Sequence, residues 1–228
     1  MFNPRSSDCG SDLPLVRDKV ILIHGLWLHG IVMTLMARRI ERCGYEVRPY
    51  SYPTMRSTLT QNAVRLAELC TGGADRLHFV GHSMGGLVAL EAARRVPQAC
   101  RGRIVMVGTP YGDCFAARRF DRWPGGHAIL GRSMEEWLRL RDRLPPENCE
   151  IGVIAGTGGK GLGRLVAPDL PPPNDGVVAL SETMVPGMRD HIAVRVSHTA
   201  MLASGIVAHQ ICAFLERGQF DRTTAAPA

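Results

Sequence analysis

Residues 77–86 read Leu77-His78-Phe79-Val80-Gly81-His82-Ser83-Met84-Gly85-Gly86, and the run Leu87-Val88-Ala89-Leu90 follows directly. A short apolar strand pattern therefore passes straight into a serine between glycines, and a helix pattern begins at the next residue. A serine on so sharp a turn is held in strained backbone geometry, with its hydroxyl projecting from the end of the strand. Glycines two positions to either side let the helix and neighbouring strands come close. The bare pattern G-x-S-x-G would arise by chance in roughly one chain in eight of this composition. The strand-turn-helix setting separates it from those accidents.

Working outward, the pattern repeats. Residues 19–23 (KVILI) form a buried-strand run ending in His24-Gly25, and residues 31–43 have helical apolar spacing up to Gly44. Residues 46–50, 103–107, 151–155 and 192–196 read as strands, and residues 59–69 and 84–95 as helices. A last helix starts near His198 and buries Val207, Ile211, Phe214 and Leu215. Six strands separated by helices predict an α/β fold: one domain over residues 1–228 with a doubly wound, mainly parallel sheet covered by helices on both faces. Residues 111–148 are the one long segment outside the alternation.

At 228 residues and 45% apolar composition, the chain can bury roughly 70% of its unfolded surface and is no disordered protein. No stretch approaches the ~20 apolar residues of a transmembrane helix, and residues 1–20 carry charges and two prolines rather than a signal-peptide core. The seven cysteines, an odd number with no C-x-x-C pair, fit reduced thiols in a cytoplasmic protein. The net charge of +6 comes from scattered basic residues, all arginine except Lys19 and Lys160. Without a run of basic residues this is a solvated surface, not a nucleic-acid site. No metal-ligand spacing is present. Gly156-Thr157-Gly158-Gly159-Lys160 has the glycines of a phosphate loop without its order, so no cofactor is expected.

Four places at the carboxyl ends of strands carry chemistry. Ser83 is the candidate nucleophile. His24-Gly25-Leu26-Trp27 follows the first strand, and the backbone N–H groups of Leu26 and Met84 are candidates to meet negative charge on a carbonyl oxygen. His24 itself reads as a residue fixing that turn, with a role as base the lesser alternative. Asn174-Asp175-Gly176 lies in the loop after residues 151–155. Asp175, at a D-G turn before an apolar segment, is the favoured carboxylate, with Asp169 and Glu182 as alternatives. Among eight histidines, His198 is the one in a loop after a late strand. His78 and His191 fall at strand beginnings, His209 is inside a helix, and His82 is too near Ser83 along the turn to face its hydroxyl. His29 and His127 are left as surface or pocket-lining residues.

The order Ser83, Asp175, His198, with His24-Gly25 ahead of them, resembles the α/β-hydrolase superfamily over residues 19–217, and small bacterial lipases and esterases within it. Shared features are the HG turn, the GHSMGG elbow, the Gly108-Thr109-Pro110 turn, the Asn174-Asp175-Gly176 turn and the late Ser197-His198-Thr199. The chain departs from larger members in lacking their extra leading strands and a secretion signal.

The resemblance implies a catalytic triad of Ser83, Asp175 and His198, with Leu26 and Met84 as oxyanion donors. It also implies that residues 111–148 are a small cap. Trp27, Trp123 and Trp137 are then candidate substrate-binding residues, set against simple packing of the segment onto the sheet. The expected activity is hydrolysis of small-molecule carboxylic esters with short to medium acyl chains through an acyl-enzyme. Acyl transfer and thioester hydrolysis use the same parts, and a non-catalytic ligand-binding protein on this scaffold is the alternative from another class.

Overall fold

Strand β3 (Leu77–His82) is buried at every residue, as only a central strand covered on both faces can be. The computed structural model describes residues 18–70, 76–96, 102–140, 144–147, 149–161 and 163–223. The other strands are β1 (Lys19–Ile23), β2 (Glu46–Tyr50), β4 (Arg103–Val107), β5 (Glu150–Gly156) and β6 (Asp190–Val194). Helices α1 (Thr34–Glu41), α2 (Leu59–Leu69), α3 (Met84–Ala93), α4 (Phe115–Asp121), α5 (Gly126–Arg139), α6 (Gly163–Val166) and α7 (Gly205–Arg217) connect or follow them.

All five strand pairings are parallel, in the order β2-β1-β3-β4-β5-β6. The order reverses between β1 and β3, and the crevice beyond the carboxyl ends of such strands is where open α/β sheets receive ligands. His24-Gly25 and His82-Ser83 both stand at that edge.

Side chains alternate across the sheet. Ile23, Phe79, Ile104, Met106 and Val153 pack beneath α2, α3 and α5, while Leu22, Val80, Val105, Ile154 and Val194 pack beneath α1 and α7. Of the cap candidate 111–148, α4 and α5 are described and residues 141–143 and 148 lie outside the described set.

Several boundaries differ from expectation, and two of the differences lie beside His198. Strand β6 begins at Asp190 and ends at Val194, because Val196 N–H turns back onto the Val194 carbonyl at 2.8 Å. Helix α7 starts at Gly205 rather than near His198, since the Ser204 side chain accepts the Val207 N–H and caps it there. His198 is thereby left in a loop.

The cysteine reading is corrected. Cys43, after α1, is disulfide-bonded to Cys212 in α7, and these helices pack together on one face. Cys70 and Cys114 are free thiols, and Cys9 and Cys100 lie outside the described residues. With this pair the cysteine argument for a cytoplasmic setting falls. Among the described residues no helix is long and apolar enough to cross a membrane.

The pairing predicts that denatured protein alkylated before reduction takes up at least two fewer iodoacetamide adducts than protein reduced first. Equal adduct masses in the two samples would refute it.

Candidate active site

Ser83 sits between β3 and α3 with φ 55° and ψ −127°, a region non-glycine residues enter at a cost of about 1–3 kcal/mol. Its N–H is held by the Val107 carbonyl at 2.8 Å. The turn closes because Gly81 has no side chain: a Cβ there would stand 2.3 Å from the Gly86 nitrogen.

Asp175 and His198 meet at the same edge. Nδ1 of His198 is 2.7 Å from Asp175 Oδ2. The other carboxylate oxygen accepts the N–H groups of Val177 and Val178 at 2.9 and 2.8 Å. The His198 N–H also donates to the Asp175 carbonyl at 2.9 Å. Asp175 is 1% and His198 8% exposed. The competing carboxylates are engaged elsewhere. Asp169 is exposed and paired with Arg119 at 2.9 Å, and Glu182 accepts the N–H groups of Ala179 and of Phe115, at the start of α4.

Leu26 follows β1 and Met84 opens α3. No acceptor among the described residues takes either N–H. As the first residue of a helix, Met84 has none within α3. His24 is fully buried. Its Nδ1 is 2.9 Å from the Gly25 carbonyl, its Nε2 accepts the Tyr52 N–H at 3.3 Å, and the Tyr52 hydroxyl donates to its carbonyl at 2.7 Å. Both ring nitrogens are thus used in fixing the turn, and burial holds the ring below the ordinary histidine range.

The aromatic candidates divide. Trp27, with φ 60°, is 55% exposed and Trp123 49% exposed. Phe120 lies between them, its ring centroid 6.3 Å from that of Trp27 and 5.7 Å from that of Trp123. Trp137 is 7% exposed, packed in the core with Leu130 and Met134 and against Tyr111. That packing takes it away from an open wall.

The indole N–H of Trp27 donates to the Ile129 carbonyl of α5 at 2.7 Å. Gly131, at φ 72° and ψ 171°, breaks α5 just beyond that carbonyl. A Cβ at Gly131 would lie 2.7 Å from the Met55 Cα, so the break also lets the segment dock closely.

In the sequence, His82 reads only as a base too near Ser83 along the turn. The structure gives it another place. Its Nε2 is 2.9 Å from the His198 carbonyl, an oxygen that accepts only if Nε2 carries the proton. Its Nδ1 is buried without a hydrogen-bond partner among the described residues. Burial first, and the facing His198 second, push its pKa down to about 3, so the ring is neutral. The available signal was its place inside a buried turn, where a histidine must find a polar partner. Among the described residues no His, Cys, Asp or Glu cluster could hold a metal ion.

A parallel sheet with a strained serine at its switch point, and a bonded histidine–aspartate pair at the same edge, defines an α/β protein with a candidate hydrolytic centre. Residues 20–204 match the alpha/beta hydrolase family, and the chain belongs to it. It is similar to a Pimeloyl-(acyl-carrier protein) methyl ester esterase of Methylococcus capsulatus, 31% identical over 124 residues, covering 49% of this chain and 43% of the relative. The chain spans less than half the length of the curated relatives it matches. Among solved structures, the mature form of the Bacillus licheniformis lipase BlEst2 is similar with a TM-score of 0.70 and 16% identity, over 90% of this chain and 93% of that one. The type II thioesterase BorB from the borrelidin biosynthetic cluster gives 0.62 and 16%, over 89% and 92%. These likenesses show the fold.

The neutral histidines generate a pH dependence. His82 has a folded pKa of about 3 against an ordinary 6.5, so below pH 6.5 the unfolded chain binds the extra proton. Its contribution is present above pH 6.5 and is lost as pH falls toward 3, at about 1.4 kcal/mol per pH unit. Buried His24 and His78 are shifted the same way. Urea unfolding should give a lower stability at pH 5 than at pH 7.5, and an unchanged value would contradict the neutral assignment.

Proposed function

We propose that this chain is a serine esterase in which Ser83, His198 and Asp175 act as a triad on small-molecule carboxylic esters. The observation that carries the reading is the buried 2.7 Å contact between His198 and Asp175, at the sheet edge where Ser83 is held in its strained turn. Asp175 fixes the imidazole tautomer and stabilises the imidazolium that forms. The free nitrogen of His198 takes the Ser83 hydroxyl proton as the oxygen bonds to the acyl carbon. The bond to the leaving alcohol breaks, and His198 returns the proton to that alcohol. Water then repeats the cycle on the acyl-enzyme. The uncommitted N–H groups of Leu26 and Met84 receive the oxyanion.

Residues 111–148 act as a small cap on the single domain. Trp27 and Trp123 supply apolar wall at its margin, while Trp137 packs the segment down.

Ser83→Ala is expected to abolish hydrolysis of p-nitrophenyl butyrate, and His198→Ala to lower kcat by roughly 10³-fold or more. Asp175→Asn should cost orders of magnitude, about 10⁴-fold in the best-studied triad. Asp169→Asn should leave the rate near wild type, because Asp169 is bonded to Arg119. Persistent activity in Ser83→Ala, or a loss in Asp169→Asn matching that of Asp175→Asn, would refute the assignment.

Across a p-nitrophenyl ester series, each added methylene should gain up to about 0.8 kcal/mol in kcat/KM until the pocket is full. A rate that keeps climbing to very long chains, or jumps when substrate forms an emulsion, would point to a lipase instead.

A further inference from the structure

His82 is buried and immediately precedes Ser83, yet the proposed chemistry does not use it. Its ring stands 4.7 Å, centroid to centroid, from that of His198, tilted by 50°. Among the described residues, the only hydrogen bond of its side chain goes to the main-chain carbonyl of that residue. Among the described residues, the other hydrogen bonds of His198 both go to Asp175, one from its N–H and one from its ring. The carbonyl is thus the remaining handle on the base, and it is held from the nucleophile turn.

We propose that His82 is a positioning residue: its Nε2–H fixes the His198 carbonyl, keeping the imidazole bonded to Asp175 and in line with Ser83. The inference deepens the esterase reading and rests on His198 being its base. Two histidines in contact would compete for one proton if both were open to water. The charged and titratable groups facing His82 are His198, Asp175 and His24, from the histidine loop, the acid loop and the end of β1. Full burial keeps His82 neutral among them, so the proton taken from Ser83 stays on His198. The carbonyl, which can only accept, holds the neutral ring in the tautomer with the proton on Nε2.

The side chain that can replace this contact is glutamine, whose amide nitrogen occupies the place of Nε2. Asparagine stops one bond short, and phenylalanine keeps the bulk without the donor. With p-nitrophenyl butyrate, His82→Gln is expected within about threefold of wild-type kcat. His82→Phe should lose roughly 10- to 100-fold in kcat, as small misplacements of reacting groups do, with KM little changed. The acidic limb of its kcat profile should also move. If His82→Phe fails to fold, His82→Asn is the comparison and must show the same deficit.

Equal activity of Gln and Phe, or of Gln and Asn, overturns the proposal, since the loss would then follow packing rather than the hydrogen bond. A second readout needs no turnover: the low-field proton resonance of the His198 Nδ1–H should persist in His82→Gln and broaden or shift in His82→Phe. An unchanged resonance in His82→Phe also overturns it. Full activity in His198→Ala would instead sink the esterase reading and leave the NMR comparison standing as the test of His82.

Discussion

The double clasp between Asp175 and His198, carboxylate to imidazole and carbonyl to main-chain N–H, joins two loops across 23 residues of sequence. One follows β5 and the other follows β6, and the sheet brings their roots together because those strands are parallel neighbours. Further bonds tighten the arrangement: Gly158 N–H reaches the Val196 carbonyl at 3.1 Å, and Gly159 N–H reaches that of Asn174 at 2.9 Å. A charge-assisted contact of this kind is strong where water is excluded and weak where it is not. Burial of Asp175 is therefore part of the interaction, and the Val177 and Val178 N–H groups are what make that burial affordable.

The strained serine depends on the same sheet from the other side. Ser83 is anchored through its N–H to Val107 in β4, so its backbone is defined by the neighbouring strand as well as by its own turn. Polar groups from β1, β3, β4 and the loops after β5 and β6 converge on one edge. Rigid strands set their spacing, and the loops need only supply the last few ångströms.

Much of this was legible in the sequence because it is local. A strand such as KVILI and an elbow such as GHSMGG declare themselves through neighbouring residues. The choice of Asp175 over Asp169 could be weighed from the D-G turn. What settled where each carboxylate goes was the approach of His198 and Arg119, contacts spanning 23 and 50 residues. The Cys43–Cys212 bond, 169 residues apart, leaves no trace in spacing at all. Nor does the pairing of His82 with His198 across 116 residues. Trp137 and Trp123 look alike as members of one aromatic-rich segment, and only the packing of α5 against the core separates them.

The bond from the Trp27 indole to the Ile129 carbonyl ties two functions together. Trp27 is the neighbour of Leu26, whose N–H is a proposed oxyanion donor, and Ile129 belongs to α5 of the proposed cap. The main-chain N–H of Trp27 is pinned in turn to the Thr54 hydroxyl at 3.3 Å. Any outward swing of α5 must either break the indole contact or drag the turn with it. The proposed cap and the proposed oxyanion turn are therefore geared to one another through a single indole.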